Sequence, residues 1–300
     1  MTGFTPTPIS AEPEPAPALD HVVVNARERL EAAADAYRRL GFHLTPPSRH
    51  TLGSINRLAV FERDYLELIG LDPDASVPRA ELLRSPIGLN GLVFATESAD
   101  ALYRALAARA PVETPLEFSR PVAIPDGAAE ARFRVVRVAS DATPYGRVYF
   151  CQHLSRNLVW RDEWQHHPNG AQGIARMVIA AADPAATASL YRGLFGGAAL
   201  CPAPGGLTLA LGAARLDILA PTRVAEEFGV RPAGDAMAAL TFKTASLDAV
   251  RRALASGGVT PSCDDGHRVV VAPDAAFGVS LEFVAESSHP LRPGGAERAR

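Results

Sequence analysis

LDHVVVN (residues 19–25) and YLELIG (residues 65–70) are two short apolar runs. The first carries one histidine, His21, and the second carries Glu67. β-Branched and aromatic runs bounded by polar residues or glycine read as strands. Between them, RERLEAAADAYRRLGF spaces Leu30, Ala33, Ala34, Tyr37 and Leu40 at helical intervals before Gly41 ends the pattern. SRHTLGSINRLAVF then supplies two further strand-like runs, so residues 19–71 read as strand, helix and three strands. His21 and Glu67 each interrupt an apolar strand and so point one polar group at whatever the sheet encloses. An imidazole facing a carboxylate is half of a divalent-metal site. The residues alone leave a plainer alternative, a backbone-bonded histidine and a glutamate paired with an arginine.

The same unit recurs three more times, and a repeat of this kind decides the architecture. In the second copy LNGLVFATES is the strand, ADALYRALAARA the helix ended by Pro111, and EFSRPVAI, ARFRVVRVA and RVYFCQHL the later strands, with a turn over 125–129. The third copy runs from Ile174 through IARMVIAAADP, the helix ATASLYRGLFG and the hairpin LTLALGAARLDILAP. The fourth holds MAALTFKT, the helix LDAVRRALASGG, and the strands HRVVVAPD and GVSLEFVAES. Alignment on the first strands places His21, Gly91, Arg176 and Ala239 together; alignment on the last strands places Glu67, Cys151, Asp217 and Glu282 together. The expected fold is α+β, with four βαβββ modules paired into two domains. These span 19–154 (modules 19–71 and 89–154) and 173–286 (modules 173–221 and 235–286), with a linker at 155–172, a loose lead-in at 1–18 and a tail at 287–300. In the linker, Trp160 and Trp164 read as anchors, and His166 and His167 as solvated or capping residues.

Composition narrows the function. A chain of 300 residues, 47% hydrophobic with a net charge of -3, has material for two ordinary cores. It lacks the dense basic face that nucleic acid requires. Its basic residues are arginine except for Lys243, which reflects GC-rich coding. The three cysteines, Cys151, Cys201 and Cys263, are too scattered for a disulfide framework and suggest a cytoplasmic setting. MTGFTPTPISAEPEPAPA has neither the basic start nor the apolar core of a signal peptide. No apolar run approaches the roughly 20 residues of a membrane span, so the expected partner is a small molecule and not a membrane.

LDHVVVN, LGF, NRLAVF and YLELIG, followed by HPNGAQGIARMVI, DPAATASLYRGLFG and SLEFV, resemble the vicinal oxygen chelate superfamily and its glyoxalase-like proteins over residues 19–285. The resemblance implies pairs of βαβββ modules curved around a cleft that holds Mn, Fe, Zn, Ni or Co, bound from the first and last strand of each module. Some members bind no metal and sequester a small molecule. Modules of this kind also pair between chains, which leaves a homodimer open. By the resemblance, His21 and Glu67 stand at two ligand positions, and His153, on the strand face of Cys151 by the period of two, is the third. Glu67 and His50 are candidate acid–base groups, with His50 placed in the glycine-bearing loop SRHTLGSIN. Asn56, Arg57 and Cys151 are candidate substrate contacts; Asn56 and Arg57 alternate, so one at most faces inward. In the second half, Arg176 beside Asp217 and Glu282 reads as an ion-pair cluster, which turns the expectation away from a ring-cleaving dioxygenase.

The leading expectation is a divalent-metal-dependent lyase or isomerase acting on a small oxygenated molecule in the N-terminal cleft. The alternative is a metal-free binding protein, and ring-cleaving dioxygenase or lactoylglutathione lyase follow behind.

Overall fold

Val22, Val24 and Ala26 turn to one side of the first strand and Val23 to the other, and all four are fully buried. A strand buried on both faces must lie inside a layered structure. The computed structural model describes residues 17–285 apart from 78 and 126, so most of the expected lead-in and the whole expected tail lie outside the described residues. The first module comprises β1 (Leu19–Arg27), α1 (Leu30–Arg39), β2 (Ser48–His50), β3 (Ser54–Val60) and β4 (Tyr65–Leu71). α1 buries Leu30, Ala33, Ala34 and Tyr37 and places Arg38 and Arg39 in its last turn, where the helix dipole favours a cation. Gly41, at φ +82°, turns the chain out of the helix in a conformation that L side chains rarely adopt.

A short helix α2 (Ala80–Arg84) leads to the second module: β5 (Gly88–Ala95), α3 (Ala99–Leu106), β6 (Leu116–Ile124), β7 (Gly127–Arg137) and β8 (Arg147–His153). The third has β9 (Ala171–Ala180), α4 (Pro184–Phe195), β10 (Leu200–Ala203), β11 (Gly206–Leu211) and β12 (Ala214–Leu219). Helix α5 (Pro221–Phe228) precedes the fourth: β13 (Ala236–Thr244), α6 (Leu247–Ser256), β14 (Cys263–Asp264), β15 (Arg268–Val271) and β16 (Ser280–Ala285). The strand orders are β2-β3-β4-β1-β5-β8-β7-β6 and β10-β11-β12-β9-β13-β16-β15-β14, one topology used twice. Four βαβββ modules thus pair into two curved eight-stranded sheets, as the repeats predict.

One continuous core joins the outer faces of both sheets to the helices, with Tyr37, Phe42, Phe242 and Phe283 at its centre. Each fully buried side chain of this size contributes about 2 kcal/mol. Tyr145 Oη donates to Tyr191 Oη at 3.0 Å inside that core. His167 is not solvated: its Nδ1 accepts from the His43 N–H at 3.0 Å and its Nε2 donates to the Val60 carbonyl at 3.0 Å. Burial pushes its pKa down to about 4, so it is a neutral brace.

The two inner faces differ. In the first sheet, Ser48 Oγ donates to the Pro121 carbonyl at 2.5 Å and the Thr51 N–H to the Ser119 carbonyl at 3.0 Å. These bonds draw the β2 and β6 edges together and curl the sheet nearly into a barrel. In the second sheet, α5 lays Val224 and Phe228 onto Val178, Ala180, Leu219 and Ala239 and fills the equivalent space. Arg176 pairs there with Asp217 at 2.6 Å and with Glu227 of α5. Glu282 instead takes Arg268 at 3.0 Å and the Thr241 hydroxyl at 2.6 Å. The second carboxylate on Arg176 is therefore Glu227 and not the expected Glu282.

Asp64, in the turn between β3 and β4, accepts the Ile174 N–H at 3.1 Å and so ties the first sheet to the start of β9. Burial raises its carboxyl to about 7, against the lowering effect of that N–H. A folded-state value above the ordinary 3.8 means that the fold holds this proton more tightly than the unfolded chain does. Stability from this group is present at pH 4 and is lost as pH rises through about 7. Asp64→Asn keeps an acceptor without the charge. It is expected to gain about 2 kcal/mol at pH 8 and nothing at pH 4, read by chemical denaturation at both.

Candidate functional site

The barrel-like first sheet encloses a cavity of ≈ 310 Å³, lined among others by His21, His50, Asn56, Tyr65, Glu67, Phe118, Arg120, Phe133, Tyr149 and Cys151. His21 reaches it through a bulge. Leu19 pairs with Phe94 and His21 with Val93, so two steps along β1 match one along β5. A bulge re-aims side chains that would otherwise alternate. It brings Asp20, fully enclosed, into hydrogen-bond contact with the next residue: His21 Nδ1 donates to Asp20 Oδ1 at 2.5 Å. Burial alone would raise the Asp20 carboxyl, but His153 and His21 beside it hold it well below the usual carboxylate range. An ionised carboxylate only accepts, so the proton of His21 sits on Nδ1 and the Nε2 lone pair faces the cavity.

Nε2 of His21 lies 3.8 Å from Glu67 Oε2 and 3.4 Å from the Tyr149 hydroxyl. Tyr65 stacks on the imidazole with ring centroids 4.2 Å apart. On the other side of Glu67, His50 Nε2 lies 3.8 Å from Oε1, while His50 Nδ1 is hydrogen-bonded to Ser54 Oγ at 2.9 Å. Asn56 Nδ2 fits between, donating to Glu67 Oε1 at 2.7 Å and to His50 Nε2 at 3.2 Å. Its Oδ1 is buried without a partner. Burial pushes His50 down to about 3, so it is a neutral donor at physiological pH. Burial works to raise Glu67, but His50, His21 and the Asn56 N–H bring it below its usual value, and it is ionised. The Tyr149 hydroxyl is pushed up by burial and keeps its proton.

The expected residues therefore divide. His21, His50, Asn56, Glu67 and Cys151 meet at one cavity. His50 is a buried residue of β2 and not a loop histidine. Arg57 faces the other way, paired through two nitrogens with Glu31 at 3.0 Å and bonded to the Thr45 carbonyl at 3.1 Å. It is not among the described residues that line the cavity, because Asn56 takes the inward position of β3. His153 lies behind His21: its Nε2 donates to Asp20 Oδ1 at 3.0 Å, and it packs against Phe133 and Trp160. Among the described residues, Asp20, His21 and His153 form the tightest group of possible metal donors, all within 4.8 Å of one another. Register also corrects the module alignment. Gly91 pairs with Arg147 as His21 pairs with Tyr65, so Tyr149, not Cys151, stands at the position of Glu67. Cys151 follows two residues on, with its thiol pushed far up by burial.

Several residues in and behind the cavity escaped sequence reading. Asp20 precedes His21 directly, but strict alternation hides it without the bulge. Arg79 and Glu81 come from the segment before β5, which carries no strong periodicity. Arg120 and Arg147 sit in strands whose inward face the sequence does not label.

The model of the Glyoxalase-like domain family matches residues 19–195, more than half of the chain. The chain belongs to this family. No curated protein matches it. A solved structure of a hypothetical protein from Staphylococcus aureus is similar at TM-score 0.63 and 11% identity, over 89% of this chain and 99% of that one. A xylose isomerase-like TIM barrel/4-hydroxyphenylpyruvate dioxygenase fusion protein is similar at TM-score 0.60 and 15% identity, over 94% of this chain but 51% of the fusion. A mutant of 4-hydroxymandelate synthase from Streptomyces coelicolor is similar at TM-score 0.54 and 12% identity, over 90% and 93% of the two chains. At these identities the likeness is one of fold alone. Among the described residues no helix is long and apolar enough to cross a membrane.

Proposed function

We propose that the cavity is an active site in which His21, His50 and Glu67 hold a divalent cation (Mn, Fe, Zn, Ni or Co), and that it isomerises or cleaves a small oxygenated molecule. One observation carries the reading. Each imidazole has its Nδ1 engaged, by Asp20 at 2.5 Å and by Ser54 at 2.9 Å, and each turns Nε2 toward a different oxygen of one carboxylate at 3.8 Å. That spacing is too long for a hydrogen bond. The outer partners fix both rings with Nε2 toward the carboxylate, and the three side chains would have to draw closer to share one cation, since among the described residues only Asp20, His21 and His153 have donors all within 4.8 Å of one another. The orphaned Oδ1 of Asn56 supports the fit, since turning the amide over aims an acceptor at the same point. His153 leaves the ligand set and becomes, with Asp20, part of the support behind His21.

When bound, such a cation supplies Lewis-acid stabilisation of charge developing on a substrate oxygen. The protein's own residues do the rest. Tyr149, held protonated, offers a hydrogen bond beside His21 Nε2. Tyr65, Phe118 and Phe133 exclude water from the cavity, which strengthens every polar contact inside it. Asp20 keeps His21 in one tautomer. A metal-free sequestering role is the second reading, favoured by Asn56 Nδ2, which itself bridges Glu67 and His50.

Elemental analysis of protein from metal-replete medium tests the two. The expected result is about one transition metal per chain, lost in a His21→Ala, His50→Ala double variant and kept in His153→Ala. Loss in His153→Ala alone would move the cation to the Asp20 group and overturn the ligand set. A metal-free wild type would leave the sequestering role.

A further inference from the structure

Arg120 carries a charge that no carboxylate among the described residues contacts. Its side chain is 5% exposed and lines the cavity. Among the described residues no hydrogen bond or ion pair reaches its guanidinium, which lies over the Phe133 ring at 5.7 Å from the centroid. Burial pulls its pKa below the ordinary arginine value, although Tyr65 and Glu67 act through space to raise it, so no contacting carboxylate makes good the lost water. The neighbouring arginines are engaged. Arg79 and Arg147 share Glu81, at 2.6 and 3.7 Å, and Arg147 also donates to Asn90 Oδ1 at 3.0 Å. A buried charge with no contacting partner is costly and persists where a ligand completes it.

We propose that Arg120 is the anion-recognition residue of this cavity, and that the ligand is a small monocarboxylate with a flat apolar body. The guanidinium fork, which no protein carboxylate contacts, matches two carboxylate oxygens. Phe118 and Phe133 stack on each other at 5.2 Å and 22° and form the wall beside Arg120, a surface that favours a planar group. A space of ≈ 310 Å³ lies at the lower end of small-molecule sites and suits a small ligand. Arg79, Arg137 and Arg147 gather on Glu81, with Arg147 Nη2 left unbonded, so inorganic phosphate is the competing anion that the test must reject. The proposal names the substrate class of the active site proposed above, but carboxylate recognition by Arg120 does not depend on the metal.

The test is calorimetric titration of wild type, Arg120→Met and Arg120→Lys with benzoate, its neutral isostere benzamide and inorganic phosphate, with metal content measured on the same samples. Benzoate is expected to bind wild type in preference to the other two probes. Its affinity should fall at least about ten-fold in Arg120→Met and by less in Arg120→Lys. The melting temperature of ligand-free Arg120→Met should equal or exceed that of wild type, because an uncompensated buried charge is gone. Undiminished benzoate binding by Arg120→Met, preference for benzamide or phosphate, or a lower melting temperature of Arg120→Met would each overturn the proposal. Metal-free wild type that still binds benzoate through Arg120 would refute the cation alone and leave the carboxylate site standing.

Discussion

Glu67→Gln is expected to weaken cation binding by more than about 100-fold and to lower turnover by about three orders of magnitude, while the fold survives. Glutamine preserves the volume and still accepts the Asn56 N–H that now reaches Glu67 Oε1 at 2.7 Å, so the strand pairing around it has no reason to change. What disappears is the negative charge between two imidazole nitrogens, each 3.8 Å away. The wild-type carboxyl is held below its ordinary value, so it stays ionised at neutral pH and its contribution is lost only as pH falls through that lowered value. His50, at about 3, does not titrate near the ordinary imidazole value of 6.5, and cation affinity should show no step there from this residue. Equilibrium dialysis with elemental analysis, beside activity over a panel of small oxygenated acids, measures both effects. Unchanged metal content in Glu67→Gln would remove the carboxylate from the ligand set.

The repeat made the fold legible. A strand, a helix with apolar residues at helical spacing and three strands recur four times, and each apolar stripe finds its place in the shared core. His21 and Glu67 were legible for the same reason, as polar interruptions of strands otherwise buried on both faces. Period-two reasoning also foresaw that Asn56 and Arg57 oppose each other. It could not tell which one faces inward, since that depends on the register with β4, where Asn56 pairs with Ile69 and Arg57 with Leu68. The same reasoning failed where the backbone departs from ideal pleating. The bulge at Asp20 puts two neighbours in contact and draws His153 behind His21. In the second module, alignment on the sequence alone chose Cys151, although the parallel pairing of Gly91 with Arg147 puts Tyr149 there. His50 looked like a loop residue because β2 has only three residues and is held by its pairing to β3. Helix α5 shows the limit from the other side: Phe228 and Glu227 close the second cleft from a segment whose sequence says nothing of where it docks.

Asp20→Asn is the complementary prediction, and its effects fall on stability as well as on the site. One oxygen of Asp20 takes both His21 Nδ1, at 2.5 Å, and His153 Nε2, at 3.0 Å, inside a fully enclosed space. Asparagine can offer one carbonyl oxygen there but no charge, so both imidazoles lose a charge-assisted partner. His153, whose Nδ1 is already buried without one, becomes wholly unsatisfied if its bond is the one lost. Removing one member of such a buried group costs about 3 kcal/mol. The carboxyl is depressed in the fold, so its stabilisation is complete above the ordinary value of 3.8 and is lost as pH falls through the lower folded value. The gap between wild type and variant should be constant from pH 6 to 8 and should narrow below pH 4, read by denaturation in the presence of EDTA. Cation affinity should fall by about 10- to 100-fold, the usual effect of an outer partner that sets the tautomer of a ligating histidine. Complete loss of the metal in Asp20→Asn, with full retention in His50→Ala, would instead make Asp20 a ligand and place the cation behind His21, out of reach of the cavity.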